Sequence, residues 1–263
     1  MADHLEKEIW KETRKKKTRR TKKIWNELAE IDLAPFIMME LNEVLKELKN
    51  EKAAGPDENP NEFWKWLSPH AKEILLKVFN ECFKNGTTPE AWNNADVVYI
   101  FKKGLITKPE NYRPISLVNT MYKIYASLLQ RRIAKGLDTR IRKTQFGYRK
   151  KHSSNQAIHI VRRITELYER HQASLFMVFL DWAKAFDSIT HESIISCLER
   201  MGVPEQMIKA IEAIYRDPTF QVKDEKSTST TRKQKRGIKQ GCPLSPYLFL
   251  IVVTAISTMY LKN

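Results

Sequence analysis

The feature that most constrains this chain is the run 175-LFMVFLDWAKAFDSITHESII-195. Residues 175 to 180 are apolar without a break, which predicts a buried strand, yet the strand delivers a carboxylate, Asp181, at its end. A charge at the edge of a core costs several kcal/mol unless it is solvated, paired or bound to a metal. A fold that accepts this run must bury its apolar residues and give Asp181 a partner. Phe186 follows five residues on, with Asp187 immediately after it.

The 263 residues suffice for one large domain or two moderate ones, and 42% hydrophobic with 10% aromatic content is that of a globular protein. Lys and Arg number 46 against 31 acids, a net charge of +15, so the expected partner is a polyanion, nucleic acid first. The cysteines Cys82, Cys197 and Cys242 are odd in number and far apart, which suggests neither a disulfide framework nor a zinc site. A reducing compartment fits them. The N-terminus lacks the apolar core of a secretory signal, so an intracellular location, nucleus or cytoplasm, is expected. The apolar stretch 247–261 is short of a membrane span and reads as a buried helix.

Residues 1–37 are predicted to be a basic arm, centred on 14-RKKKTRRTKK-23. It is either a solvated tail, a set of phosphate contacts or a nuclear import signal. Helical spacing starts at Met38 (Leu41, Val44, Leu45, Leu48) and stops at 55-GPDENPN-61; a second helix then runs from about Phe63 to Phe83. The run 97-VVYIF-101 predicts a strand that ends in Lys102 and Lys103, two ammonium groups placed at a turn where phosphate is a natural guest. Met121 to Ile133 form an amphipathic helix. Residues 131 to 151 then hold nine Lys or Arg against one acid, Asp138, with Phe146 and Tyr148 among them, a mixture that suits a nucleic acid groove.

Ser153 or Ser154 caps a helix with the stripe Ala157, Ile160, Val161, Ile164 and Tyr168. Helices are predicted again from about Thr190 and around Met207 to Ile214. A hairpin from 219–223 to 233–238 and a last helix opened by Pro243 complete the chain. The alternation of helices and short strands indicates an α+β fold. Gly241, between Gln240 and the apolar helix, lets backbone approach a ligand closely, while the Gln240 amide offers both donor and acceptor.

Taken together, 52-KAAGPD-57, 98-VYIFKKG-104, 109-PENYRPISLVNTMYKIYASLLQRRI-133, 145-QFGYRKKHSSNQAI-158, 179-FLDWAKAFDSITHESI-194 and 236-RGIKQGCPLSPYLF-249 resemble, in order, the blocks of the reverse transcriptase domain of non-LTR (LINE-type) retrotransposons. The resemblance covers roughly residues 40 to 263; 58-ENPNEFWKWL-67 departs from the usual small and aliphatic residues after the first block. It implies a right-hand polymerase fold, with fingers at 38–170, a partial palm at 171–263 and no thumb. It also implies RNA template, DNA primer and dNTP as partners and two Mg2+ ions as cofactors.

By the same resemblance Asp181 is the catalytic metal ligand, aided by the backbone carbonyl of Trp182. Phe186 is the ring that excludes a ribose 2'-hydroxyl, and Arg113, with Lys102 and Lys103, holds the triphosphate. Gln240 and Gly241 lie beside the nascent base pair. Asp187 lies beyond the turn, where an Asp hydrogen-bonds backbone rather than binding metal.

The family's second catalytic block, an aromatic-Ala-Asp-Asp core, has no counterpart among these residues, which contain no Asp-Asp pair. The expectation is therefore that this chain alone binds Mg2+ weakly, does not polymerise DNA, and exposes an apolar patch and an unpaired sheet edge that lower its solubility. The alternative is a catalytically dead remnant that binds nucleic acid; a metal-dependent nuclease lacks the clustered carboxylates it would need.

Overall fold

Local signals in the chain punctuate the first helices. Helix α1, Met38–Glu47, buries Leu41, Val44 and Leu45 at the expected spacing. The single helix expected over 63–83 is two, α2 at Asn61–Lys65 and α3 at Pro69–Asn85. Pro69 explains the break: it has no N–H to bond backwards, and Ser68 caps the new helix by accepting from Ala71 N at 3.2 Å. The structure, a computed structural model, describes residues 24–25, 27–182, 184–224 and 227–260. The basic cluster at 14–23 lies outside them.

Strands β1 (Asn94–Phe101) and β2 (Tyr112–Leu117) form an antiparallel hairpin, with Ile100 opposite Arg113 and Phe101 opposite Tyr112. Helix α4, Thr120–Leu137, follows, then α5, Ser154–Arg170, capped at Ser153 as expected with Gln156 bonding back to the Ser153 N–H. After them come the four-residue α6 (Ala185–Ser188), α7 (His191–Arg200) and α8 (Glu205–Ile214). Strands β3 (Thr219–Val222) and β4 (Arg232–Lys233) and helix α9 (Ser245–Tyr260) complete the chain. The sheet order is β2-β1-β3-β4, with β3 parallel to β1 and antiparallel to β4. This is the mixed α+β architecture expected.

One core joins the first half of the chain to the second. Phe36, Phe79, Phe83, Trp92, Tyr122 and Tyr125 form an aromatic cluster with ring centroids 5.0 to 6.5 Å apart. Buried Ile194, Leu198, Ile211, Leu248 and Ile251 continue the same core. The described part of the expected arm is fastened to it rather than free. Ala29 N donates to Gly202 O at 2.7 Å, Arg140 donates to the carbonyls of Glu27 and Leu28, and Ala29, Ile31 and Phe36 are buried.

The strand expected before Asp181 is not formed. Residues 173–182 carry no strand or helix, and Phe176, Val178, Phe179 and Leu180 are 93%, 83%, 80% and 80% exposed. A strand needs a neighbour for its N–H and C=O groups. Among the described residues the sheet offers none to this run: at Ser116 the outer edge of β2 is taken by Gln240, and β4 is two residues long. Helix α5 is likewise amphipathic with no buried residue, its Ile158, Ile160, Ile164 and Leu167 lying open. Each such side chain left in water forfeits about 1.5–3 kcal/mol of burial. An open apolar surface is therefore present at 176–180 and on α5, but not on the last helix, where Leu248, Leu250, Ile251 and Val252 are buried.

Candidate functional site

Three distant blocks meet at the turn 239–242. Ser116 N, on the outer edge of β2, donates to Gln240 O at 2.7 Å. Gly241 lies directly on the same residue at φ +124°, where a Cβ would sit 2.6 Å from Ser116 O. The glycine is thus required by contact with protein backbone, not only by approach to a ligand. On the other side Gly237 N donates to Ile189 O at 2.7 Å, Ile238 N to Phe186 O at 2.9 Å, and the Gln240 side-chain amide to Asp187 Oδ1 at 3.3 Å. The residues after Asp181, the Gln-Gly turn and the Arg113 strand are thereby latched together.

Asp187 takes a side-chain amide here rather than the backbone partner expected of it, because the Gln-Gly turn, and not its own loop, comes closest to its carboxylate. Phe186 is half-buried. It stacks on Phe249 of α9, with centroids 5.0 Å apart and planes 15° from parallel, and Tyr148 meets its ring edge-on at 6.3 Å. Neither neighbour was visible in the sequence, where Tyr148 read only as one ring among the cations of a groove. Arg113 and Lys102 lie at the same end of the β1–β2 hairpin: Lys102 N donates to Asn111 O at 2.9 Å, two residues before Arg113, and Lys103 follows. All three side chains are exposed. Arg113 is three strand positions, or roughly 10 Å, from Ser116 and so from the latched turn.

Asp181 and Trp182 are not drawn into this group; both are exposed on the irregular run. Among the described residues no three His, Cys, Asp or Glu side chains are grouped closely enough to hold a metal ion. The strand β2 that carries Arg113 was also missed. Ile115 and Leu117 alternate as a strand should, but Pro114 argues against a central strand, and β2 is an edge. A cavity of about 880 Å3, lined by Gly55, Asp96, Tyr99, Tyr112 and Lys223 among others, gives the 52–57 block a place against the sheet.

One buried cation anchors the turn from below. Lys239 is 1% exposed, its Nζ 4.7 Å above the Tyr122 ring and 3.4 Å from Trp92 O. Burial depresses its ammonium to about 8. In the unfolded chain an amine of this kind titrates near ~10.4, so between about 8 and 10.4 the unfolded state holds more protons and stability rises with pH. Melting temperature is expected to climb over that window, and Lys239→Met to remove the climb; a variant that keeps the same slope would contradict this titration.

Residues 100–263 match the family described as "Reverse transcriptase (RNA-dependent DNA polymerase)". The chain belongs to the reverse transcriptase family. Across 232 residues it is 28% identical to the RNA-directed DNA polymerase from mobile element jockey of Drosophila melanogaster, a match covering 87% of this chain and 25% of that protein. Identity is 30% over 219 residues to the retrovirus-related Pol polyprotein from type-1 retrotransposable element R2 of Nasonia vitripennis, covering 82% of this chain and 21% of the other. Another relative is the transposon TX1 uncharacterized 149 kDa protein of Xenopus laevis, 27% identical over 83% of this chain and 17% of that protein. These are the non-LTR relatives that the sequence blocks implied, and the chain spans about a quarter or less of their length. Among the described residues no helix is long and apolar enough to cross a membrane.

Proposed function

We propose that this reverse transcriptase chain supplies the fingers (38–170) and the first part of the palm (171–263) of an RNA-directed DNA polymerase that adds dNTPs to a primer 3'-hydroxyl on an RNA template. The observation that carries the reading is the latch at 239–242. It holds Gln240 and Gly241, the Phe186 loop and the Arg113 strand around one place, where a nucleotide would have its phosphates, sugar and base addressed at once. The division into fingers and palm describes role rather than independent folding, since the core is shared.

Each residue takes the part its chemistry allows. The exposed guanidinium of Arg113, with the ammonium groups of Lys102 and Lys103, holds the triphosphate. Phe186 sets a flat apolar wall under the sugar, where a 2'-hydroxyl would be both crowded and left without a hydrogen bond. Gln240 touches the incoming nucleotide and Gly241 the template, the latter through backbone alone.

Asp181 and the Trp182 carbonyl are the donors this chain offers to magnesium, which when bound activates the 3'-hydroxyl and neutralises phosphate charge. Two donors fall short of the six oxygens that Mg2+ takes, so the described residues do not complete that site and no step is assigned to it. On this reading the exposed run 176–180 belongs to the palm and the open face of α5 to the fingers.

The test is primer extension on an RNA template by the longest expressed product that contains these 263 residues. DNA synthesis that requires template, primer and dNTP supports the reading. Salt-sensitive RNA binding without extension would overturn it in favour of a nucleic acid-binding remnant.

A further inference from the structure

Tyr148 occupies a backbone conformation that a bulky residue adopts at a cost. Its φ is +59°, in the left-handed region, and its ring is 57% exposed, so burial does not repay the strain. What holds it there is its neighbour. The Arg149 side chain, 7% exposed, donates to Asp138 Oδ1 at 2.9 and 3.1 Å, and to the carbonyls of Arg142 at 3.1 Å and Gln145 at 3.3 Å. The Asp138 carboxylate and the carbonyls of Asp138, Arg142 and Gln145 are thus tied to a single guanidinium, and the residue beside it is turned outward. The ring it presents meets Phe186, 6.3 Å between centroids and 75° between planes.

Phe186 is already stacked on Phe249. One face of the ring is therefore blocked, and the Tyr148 ring packs against Phe186 as well, at a steep angle to its plane. We propose that Tyr148 is a positioning residue for sugar selection: it closes the second side of Phe186 and so fixes the wall that rejects a 2'-hydroxyl. The inference rests on the reading of Phe186 given above and extends it to a residue of a separate loop, whose strained backbone has no other evident use. Tyr148 itself touches no reacting atom, and its effect reaches the nucleotide only through the Phe186 ring.

An edge-to-face aromatic pair is worth enough that its loss should relax discrimination between dNTP and rNTP by about fivefold to tenfold. The experiment measures kcat and KM for one dNTP and its matching rNTP in the extending protein, for wild type, Phe186→Val, Tyr148→Ala, Tyr148→Leu and Tyr148→Phe. The expected result is a lower KM for the rNTP in both Tyr148→Ala and Tyr148→Leu with kcat for the dNTP unchanged, and wild-type discrimination in Tyr148→Phe, which keeps the ring. A general loss of folding would lower kcat for both nucleotides and leave their ratio alone. Wild-type ratios in Ala and Leu variants, while Phe186→Val relaxes selection, would overturn the role of Tyr148 and leave that of Phe186 standing. A Phe186→Val variant as selective as wild type would overturn both.

Discussion

Phe186→Val, in an extending protein that carries this chain, is expected to raise the relative use of ribonucleotides on the order of a hundredfold, as removing a steric wall from an apolar pocket does. The side chain is half-buried between Phe249 and Tyr148, so the substitution opens space where the sugar edge would lie rather than in the deep core. Some stability is lost with it, since Phe186 packs against the core, but the loss affects both nucleotide types equally. The decisive quantity is the ratio of kcat/KM for rNTP and dNTP on one template position. A ratio that stays at the wild-type value would remove Phe186 from sugar selection and with it the nucleotide site drawn around the latch.

How far the sequence revealed this arrangement depended on the range of the interactions involved. Helices α1, α4, α5, α7 and α8 announce themselves through apolar stripes and caps within a few residues, as at Ser153 and Thr190. The site blocks were readable as motifs because each residue type has its own chemistry. Their assembly was not readable: the bond from Ser116 to Gln240, the stacking of Phe186 on Phe249 and the contact with Tyr148 each join residues 38 to 124 positions apart. Periodicity carries no information at that distance.

The run before Asp181 shows the opposite failure. Its apolar character predicts a buried strand, yet Phe176, Val178, Phe179 and Leu180 are exposed, because a strand is a property of two segments and the described residues offer this one no neighbour. Gly241 was singled out for approach to a ligand, whereas the nearest obstacle to a Cβ is the protein's own Ser116 carbonyl.

Arg132→Met is expected to destabilise the protein by about 3–5 kcal/mol, the usual cost of removing one partner of a buried ion pair. The guanidinium is 4% exposed and makes a forked contact with Glu40, Nε to Oε1 at 2.8 Å and Nη2 to Oε2 at 2.7 Å. It also donates to the carbonyls of Asp32, Ala34 and Pro35 and lies 4.2 Å above the Phe36 ring, so one side chain fastens the whole segment 32–36 onto α4. Burial by itself would raise the Glu40 carboxyl, but the hydrogen bonds from Arg132 and from Ile37 N–H outweigh it and hold that group below its ordinary 4.5. The stabilisation is therefore complete above 4.5 and is lost as pH falls through the lower folded value. Methionine fills the space but leaves Glu40 with the Ile37 N–H alone and three carbonyls without the guanidinium. The neighbouring Arg131 provides the contrast: it bridges Glu43 and Glu47 at 2.7 Å, but those carboxylates are 58% and 76% exposed, and Arg131→Met should cost less than about 1 kcal/mol. Urea midpoints at neutral pH and at pH 4 distinguish the two. If the Arg132 and Arg131 variants shifted the midpoint equally, the segment before α1 would be held by its apolar contacts, Phe36 above all, and not by the guanidinium.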